Sequence, residues 1–112
     1  TPDGTTIRDY IHVSDLADAH YKILKKISII NKSLIINCGY NRGISVNEVI
    51  NEFKKQSQKK IKILYQSRRP GDLAIVIANN RKLKRIIKWI PKHFKLSEIV
   101  KTCIKWEKTI NR

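Results

Sequence analysis

The sequence predicts an α/β fold, a mixed arrangement of about four helices and three to four short strands. A chain of 112 residues with 41% hydrophobic side chains is long enough for one domain with a modest core. Short runs of strand-favouring residues alternate along it with four segments whose apolar residues recur at helical spacing. Turn-forming Gly and Pro residues separate these segments.

The first two elements are a strand and a helix. Residues 5–13 favour an extended segment through their Thr, Ile, Tyr and Val content. Ser14 is a good helix N-cap, and Asp15 lies in the first turn, where the helix dipole favours an acid. We predict a helix that ends near residue 26 or 27. His20 lies on its apolar face, where we expect a hydrogen-bonded core histidine.

The next two elements are a buried strand and a second helix. Residues 33–38 form a short apolar run that Gly39 ends. Ser45 and Glu48 have the spacing of a capping box, and an apolar face follows them up to fraying at residues 55–58. The Gly-containing segment 39–43 lacks the spacing of known phosphate-binding loops, so we interpret it as a structural turn.

The last third predicts two more extended segments and two more helices. Residues 61–65 alternate like a half-buried strand, and residues 73–78 favour a brief extended stretch. Asn79 or Asn80 can cap a third helix, which must end before Pro91. A fourth amphipathic helix follows from Leu96. These strands are few and short for a self-sufficient sheet, so we interpret the chain as part of a domain.

The charge balance is strongly basic, with 24 Lys and Arg against 9 Asp and Glu and a net charge of +15. Such a balance can attract nucleic acid or an anionic membrane. However, the chain has 17 Lys and 20 Ile, and a nucleic-acid module has no reason to enrich Ile. We favour a general compositional bias, and a small basic nucleic-acid-binding module remains the alternative.

Two cysteines far apart indicate neither a disulfide framework nor a zinc site, which fits a reduced, cytoplasmic protein. No apolar run reaches the roughly 18 residues of a membrane-spanning helix, and the first residues do not resemble a secretory leader. The chain contains no Met and starts at Thr1, so we expect that a preceding segment is missing.

Two groups of residues could bind an anion. Arg68, Arg69 and Asp72 surround a Pro-Gly turn, and two guanidinium groups on such a turn suit a phosphate or diphosphate. A surface ion pair would explain the same residues. Arg8 could reach a phosphate while Asp9 holds a backbone donor, although this pair could equally be an internal ion pair. The three histidines are scattered and predict no nucleophilic triad.

Several motifs together resemble one enzyme family. Residues 3–5 (DGT) precede residues 8–20 (RDYIHVSDLADAH), and NCGY at 37–40, RRPGD at 68–72 and WIP at 89–91 follow in order. This series is similar to UDP-glucose 4-epimerases of the extended short-chain dehydrogenase/reductase superfamily, over essentially the whole chain. One departure is Lys88, at a position before Trp89 that is commonly Gly in the family.

The resemblance implies that residues 1–112 are the carboxy-terminal, substrate-binding region of a Rossmann-type protein, without the amino-terminal NAD-binding Rossmann domain. It implies that Arg8 and Arg69 contact the diphosphate of a UDP-sugar and that Asp72 contacts the ribose. Family members differ at the position of Val76, where a small residue admits N-acetylated sugars.

The resemblance also sets expectations for activity and partners. The intact family member uses NAD to interconvert UDP-glucose and UDP-galactose and forms a homodimer. We expect this chain alone to bind no NAD, to have no catalytic residues and to bind UDP-sugars poorly. We expect neither nucleic acid nor membrane as a partner. A fragment of another nucleotide-sugar epimerase or dehydratase is the nearest alternative.

Overall fold

The computed structural model describes residues 1–111, which form four helices and one small sheet. The predicted α/β class and the number of helices are confirmed. The helices are α1 (Val13–Ile30), α2 (Val46–Ser57), α3 (Arg81–Ile87) and α4 (Leu96–Ile110), and the strands are β1 (Ile7–Arg8), β2 (Ile44–Ser45) and β3 (Ile75–Val76).

The sheet is mixed and has the strand order β2-β1-β3. β1 runs antiparallel to β2 and parallel to β3, with Arg8 opposite Ile44 on one side and Val76 on the other. Gly43, just before β2, lies where only a residue without a Cβ atom fits. A Cβ atom there would lie 2.5 Å from Cγ2 of Ile7 and 2.7 Å from Cδ1 of Ile77. Because β1 is the central strand, Arg8 lies between β2 and β3, which are distant from each other in the sequence.

The main core lies between α1 and α3. Ala19, Leu83 and Trp89 are its buried residues, and the ring of Tyr40 stacks on Trp89 with 6.1 Å between the centroids. Burial of apolar area at roughly 25 cal/mol per Å² supplies the attraction between these elements. The helices α2 and α4 also pack against each other, and Val100 of α4 is buried.

The three strands agree with the predicted three to four, but they are shorter than predicted, and β2 lies in no predicted strand segment. Of residues 5–13 and 73–78, only the two-residue strands β1 and β3 join the sheet, and residues 33–38 and 61–65 form no ladder with any part of the described chain. In residues 33–38, the exposure of the side chains still alternates as in a strand: Ile36 is half-buried, whereas Ile35 is 88% exposed. The predicted pattern is present, but a ladder also requires a neighbouring strand.

The helix ends differ from the prediction in two places. His12, and not Ser14, is the N-cap of α1, because the His12 ring accepts a hydrogen bond from the backbone N–H of Ser14. α1 continues to Ile30, beyond the predicted end near residue 27, and Asn31 ends it in the left-handed conformation at φ 48°. At α2, both hydrogen bonds of the capping box at Ser45 and Glu48 are present, which confirms that prediction.

Three further predictions have mixed outcomes. His20 is exposed, so its expected place in the core is wrong; its ring instead lies 2.8 Å from the carbonyl oxygen of Leu16. Asn80 precedes α3 as predicted but makes no capping bond, because its buried amide donates to the carbonyl of Gly39. Asn79, the other predicted cap, accepts a hydrogen bond from the backbone N–H of Arg81 over 3.1 Å. Lys88 ends α3 in the left-handed conformation, three residues before Pro91. No helix within residues 1–111 is long and apolar enough to cross a membrane.

Candidate functional site

Two arginines that are far apart in the sequence meet at one carboxylate. Nη2 of Arg8 lies 2.6 Å from Oδ1 of Asp72, and Nη2 of Arg69 lies 3.2 Å from Oδ2 of the same residue. The side chains of Arg8 and Asp72 are 29% and 23% exposed, whereas that of Arg69 is 85% exposed. The two candidate groups of the sequence therefore meet in one cluster. In it, Arg69 and Asp72 form the surface ion pair that the sequence left open, and Arg8 adds a less exposed one.

The turn at residues 68–72 is closed by hydrogen bonds among its own residues. Nη2 of Arg68 donates to the carbonyl oxygen of Asp72 over 2.8 Å, and the amide of Asp72 donates to the carbonyl of Arg69 over 3.3 Å. Gly71 has a φ of 78°, a left-handed conformation that a residue with a side chain rarely adopts. The sequence Arg-Arg-Pro-Gly-Asp thus folds locally into a tight turn that presents two guanidinium groups.

Arg8 is held from two sides. Nη1 donates to its neighbour's carbonyl, that of Ile7, over 2.8 Å, while Nη2 is paired with Asp72. Because β1 is the central strand and parallel to β3, the backbone of Arg8 lies beside that of Val76. Arg8 is thus a cation held in one position, and a side chain fixed in this way loses little further entropy when it binds a partner.

Asp9 fastens the segments around Arg8. Its carboxylate accepts hydrogen bonds from the backbone amides of Tyr40 and Asn41, both over 2.9 Å, and from that of Ala78 over 3.3 Å. This confirms the prediction that Asp9 holds backbone donors. Gly39 packs against this carboxylate, since a Cβ atom there would lie 2.6 Å from Oδ2 of Asp9. The segment 39–43 is therefore structural, as predicted.

Val76, the fourth predicted site residue, is 45% exposed on the edge strand β3. It is the register partner of Arg8 across the parallel pair. Its backbone thus lies next to the site, while its role in selecting a sugar stays a prediction.

An open groove of about 440 Å³ adjoins the arginines. Its wall includes Arg68, Arg69 and Asp72, and Tyr65 and Asn47 face it from the other elements. The hydroxyl of Tyr65 donates to Oδ1 of Asn47 over 3.1 Å. Sequence reasoning did not single out these two residues; the only signal was the place of Tyr65 in the alternating segment that leads to the turn.

The charged side chains of this site are mainly cationic. The guanidinium groups of Arg8 and Arg69 contact the carboxylate of Asp72, and that of Arg68 donates to the backbone carbonyl of the same residue. Three cations thus lie beside one carboxylate, so positive charge is in excess. Forked guanidinium donors match the oxygens of a phosphate or diphosphate. No group of three or more metal-ligating side chains occurs in the part of the chain that the structure describes.

One further pair has the spacing of a catalytic motif. Tyr21 and Lys25 are four residues apart, as in a Tyr-x-x-x-Lys sequence. Both are exposed on α1, and Nζ of Lys25 lies 4.4 Å from the centroid of the Tyr21 ring. This is a cation–π contact on a helix surface, and we assign it no role in the site.

Comparison with known proteins identifies the relatives of this chain. The model of the NAD dependent epimerase/dehydratase family matches residues 1–39. The UDP-glucose 4-epimerase of Azospirillum brasilense is 43% identical over 112 residues, which are 100% of this chain and 32% of that protein. The chain is related to the UDP-glucose 4-epimerases. A putative UDP-arabinose 4-epimerase 2 of Arabidopsis thaliana is 44% identical over 108 residues, 96% of this chain and 26% of the relative.

Solved epimerase structures share the fold. The UDP-Glc/GlcNAc 4-epimerase of Campylobacter jejuni superposes with a TM-score of 0.85 at 40% identity and covers 97% of this chain, which matches 33% of that structure. The UDP-glucose-4-epimerase of Stenotrophomonas maltophila, with bound NAD and formylated UDP-arabinopyranose, gives a TM-score of 0.91 at 33% identity over 100% of this chain and 33% of its own. The chain thus spans about a third of the length of the epimerases it matches.

Proposed function

We propose that residues 1–112 are the UDP-sugar-binding, carboxy-terminal region of an NAD-dependent UDP-glucose 4-epimerase, which interconverts UDP-glucose and UDP-galactose. The observation that carries the proposal is the convergence of Arg8 and Arg69 on Asp72. All 112 residues of this chain align with such an enzyme at 43% identity. Relatives that act on UDP-arabinose make another nucleotide-sugar 4-epimerase the second candidate.

The proposed roles follow from the charges of the site. Arg8 and Arg69 bind the diphosphate, because each can turn free guanidinium N–H groups toward phosphate oxygens while Asp72 keeps the two side chains together. Asp72 accepts a hydrogen bond from the ribose with the acceptor capacity that its two ion pairs leave open. Val76 borders the sugar.

The NAD of the intact enzyme must be held by residues outside this chain. The four glycines, at positions 4, 39, 43 and 71, do not have the spacing of a dinucleotide-binding turn. When bound in the intact enzyme, the cofactor supplies hydride transfer. We assign this chain only binding and orientation of the substrate, so that by itself it has no epimerase activity and weak affinity for UDP-sugars.

The remaining assignments concern the setting of the protein. We propose a cytoplasmic enzyme of galactose and nucleotide-sugar metabolism that is a homodimer in its intact form. We propose no membrane and no nucleic acid as partners. A nucleic-acid-binding module would instead show an affinity for oligonucleotides that falls steeply with salt, and fluorescence anisotropy with a labelled oligonucleotide at two salt concentrations tests this alternative.

A chimaera tests the proposed function. This chain replaces the matching segment of the Azospirillum brasilense epimerase, and conversion of UDP-glucose to UDP-galactose is measured. We expect an active chimaera, and we expect Arg69→Ala to weaken UDP-glucose binding about 10- to 150-fold, the equivalent of a lost hydrogen bond to a charged group. Lys84→Ala, which removes an exposed cation of α3, is the matched control.

Two results would contradict the proposal. One is a folded chimaera that retains NAD but converts no nucleotide sugar. The other is equal UDP-glucose affinity in the Arg69→Ala and Lys84→Ala chimaeras, which would mean that general positive charge, and not the site, attracts the ligand.

The same chimaera tests the role of Val76 in sugar selection. With Val76 we expect turnover of UDP-N-acetylglucosamine as well as UDP-glucose, because a small side chain leaves room for the acetamido group. Val76→Tyr should abolish the first activity and retain the second, and Val76→Ala should retain both. Parallel kcat/KM measurements on the two substrates check this. An inert N-acetylated substrate in the unsubstituted chimaera would refute the role.

A further inference from the structure

The turn at residues 68–72 is fixed to the central strand β1 on its carboxy-terminal side. Asp72 is paired with Arg8 of this strand, and the carbonyl oxygen of Ala74 accepts a hydrogen bond from the amide of Ile7 over 2.8 Å. These contacts hold the last residue of the turn and the chain after it. The two arginines of the turn come before Asp72, so their position also depends on the segment that leads into the turn.

That segment, residues 60–67, belongs to no helix or strand. Within the described part of the chain, one hydrogen bond joins it to another element: the hydroxyl of Tyr65 donates to Oδ1 of Asn47 on α2 over 3.1 Å. Packing holds the segment weakly, because the side chain of Ile63 is half-buried and the other seven side chains of residues 60–67 are exposed. The bond between Tyr65 and Asn47 is therefore the directional contact that attaches this segment to the fold.

Asn47 is a firm point of attachment. It is the second residue of α2 and is half-buried. Its backbone amide donates to Oγ1 of Thr5 over 3.2 Å, and its Nδ2 donates to the carbonyl oxygen of Asp3 over 3.3 Å. These bonds fix the side-chain amide before Tyr65 meets it. The hydroxyl of Tyr65, whose ring is 72% exposed, thus binds an acceptor that is already in place.

We propose that Tyr65 and Asn47 are positioning residues for the diphosphate of a UDP-sugar, because their hydrogen bond holds the amino-terminal half of the turn. The inference rests on the proposed function and extends it to two residues that act through the turn. The side chain of Arg69 is 85% exposed, so a diphosphate has to order it on binding. The ordering cost is smaller when the backbone that carries this side chain is already held.

NMR relaxation of the full chain tests the hold on the turn directly. Tyr65→Phe removes the hydroxyl and retains the exposed ring. We expect the backbone order parameters of residues 66–72 to fall in this variant from about 0.85 toward 0.6, the values of rigid and flexible backbone. Tyr21→Phe, which removes the hydroxyl of an exposed tyrosine on α1, is the matched control and should leave them unchanged. Both variants should keep the thermal midpoint of the unsubstituted chain.

Kinetics of the epimerase chimaera test the consequence for the substrate. Tyr65→Phe should raise the KM for UDP-glucose about 2- to 10-fold, the equivalent of one neutral hydrogen bond, and leave kcat unchanged. Asn47→Ala should also raise the KM. The double variant should match Asn47→Ala alone, because the bond is already lost in that variant. Tyr21→Phe should change neither constant.

Three results would overturn the proposal. Order parameters that do not change in Tyr65→Phe would mean that other contacts hold the turn. A KM equal to that of the Tyr21→Phe chimaera would mean that the hold does not assist binding. A double variant whose effect is the product of the two single effects would mean that Tyr65 and Asn47 act separately.

Failure of the proposed function gives a different result. An unsubstituted chimaera that folds but converts no nucleotide sugar would contradict that function, and with it the ligand named here. The order parameters of the full chain would still decide whether the bond between Tyr65 and Asn47 holds the turn.

Discussion

The residues that build the candidate site are fixed by a few close contacts. Arg8 and Asp72 are 64 positions apart, yet their 2.6 Å ion pair joins β1 to the turn at residues 68–72. Asp9 then ties the same strand to the segments that contain Tyr40 and Ala78. Residue types alone suggested each group, whereas the meeting of the two groups is a tertiary result.

Gly39 provides a test of close packing at the residue scale. A Cβ atom there would lie 2.6 Å from both Ala78 Cβ and Asp9 Oδ2, so we expect Gly39→Ala to destabilise the fold by about 1–3 kcal/mol. Gly71 differs, because it has free space but a φ of 78°. Asn tolerates that conformation, so Gly71→Asn should cost little.

Urea unfolding of Gly39→Ala, Gly39→Asn and Gly71→Asn checks this prediction. The two Gly39 variants should both be less stable than Gly71→Asn. A Gly39→Ala protein as stable as the unsubstituted chain would mean that β1 and the 77–78 segment are not packed as closely as the structure shows.

At the scale of elements, the helices follow their local signals more closely than the strands. The capping box at Ser45 forms as the sequence predicts, since all its atoms lie within four residues. The N-cap of α1 was predicted two residues too late, at Ser14 and not at His12. His12 takes this role because a ring nitrogen meets the amide of Ser14 while the other reaches Thr102 on α4.

In α3, we expect glycine substitutions at two lysines to change the stability of the chain in opposite directions. Lys88 has a φ of 48°, a left-handed conformation that costs a residue with a side chain roughly 1 kcal/mol and costs Gly little. We therefore expect Lys88→Gly to stabilise the chain by about 1 kcal/mol. Lys84, in the interior of the same helix, is the control, and Lys84→Gly should destabilise it by about as much.

Midpoints of thermal unfolding for the two glycine variants decide this point. The prediction is wrong if Lys88→Gly lowers the midpoint, since Lys88 would then contribute through a contact that outweighs its backbone strain.

At the scale of the whole molecule, the chain is more open than a compact domain. Its radius of gyration is 16.8 Å, against about 13 Å for a compact domain of similar length. Its accessible area is 8953 Å², compared with roughly 6400 Å² from the usual scaling with mass. Many large apolar side chains are exposed, among them Ile35 at 88% and Ile29 at 79%. We expect the isolated chain to associate.

Residues 33–38 allow that expectation to be tested. Ile35 points outward, and Ile36 packs against the core cluster. A charge on an unpaired edge opposes association, so Ile35→Lys should reduce light scattering without loss of helical signal. Ile36→Lys is the counterpart and should unfold the chain, because it buries a charge. If both variants behaved alike, the alternation of exposed and packed side chains along residues 33–38 would be contradicted.

Asp15 makes the packing of α1 on the rest of the chain sensitive to strong acid. Burial opposes its ionisation, yet the hydrogen bonds from Lys92, Tyr40 and His93 hold its pKa below 3.8. Because the folded-state pKa is the lower one, its contribution is complete above about pH 4 and is lost as pH falls through the folded pKa.

Asp15→Asn should therefore be less stable at neutral pH by about 1.5–3 kcal/mol, the range for hydrogen bonds to a charged group. It should also lose part of the acid dependence below pH 4. Urea unfolding at pH 7 and in steps from pH 4 to pH 2.5 measures both effects. Glu107→Gln, at an exposed carboxylate of α4, controls for general charge and should leave the curve unchanged.

The α/β class, the four helices, the capping box, the turn at residues 68–72 and the relation to the epimerases could all be predicted from local patterns in the chain. These depend on local periodicity, local hydrogen bonds and motif order, which the chain carries without reference to its fold. Four features became visible only in the folded chain: which predicted strands pair, the exposure of His20, the capping of α1 by His12, and the meeting of Arg8 and Arg69 at Asp72. Each of these depends on a partner distant in sequence, and no local pattern specifies that partner.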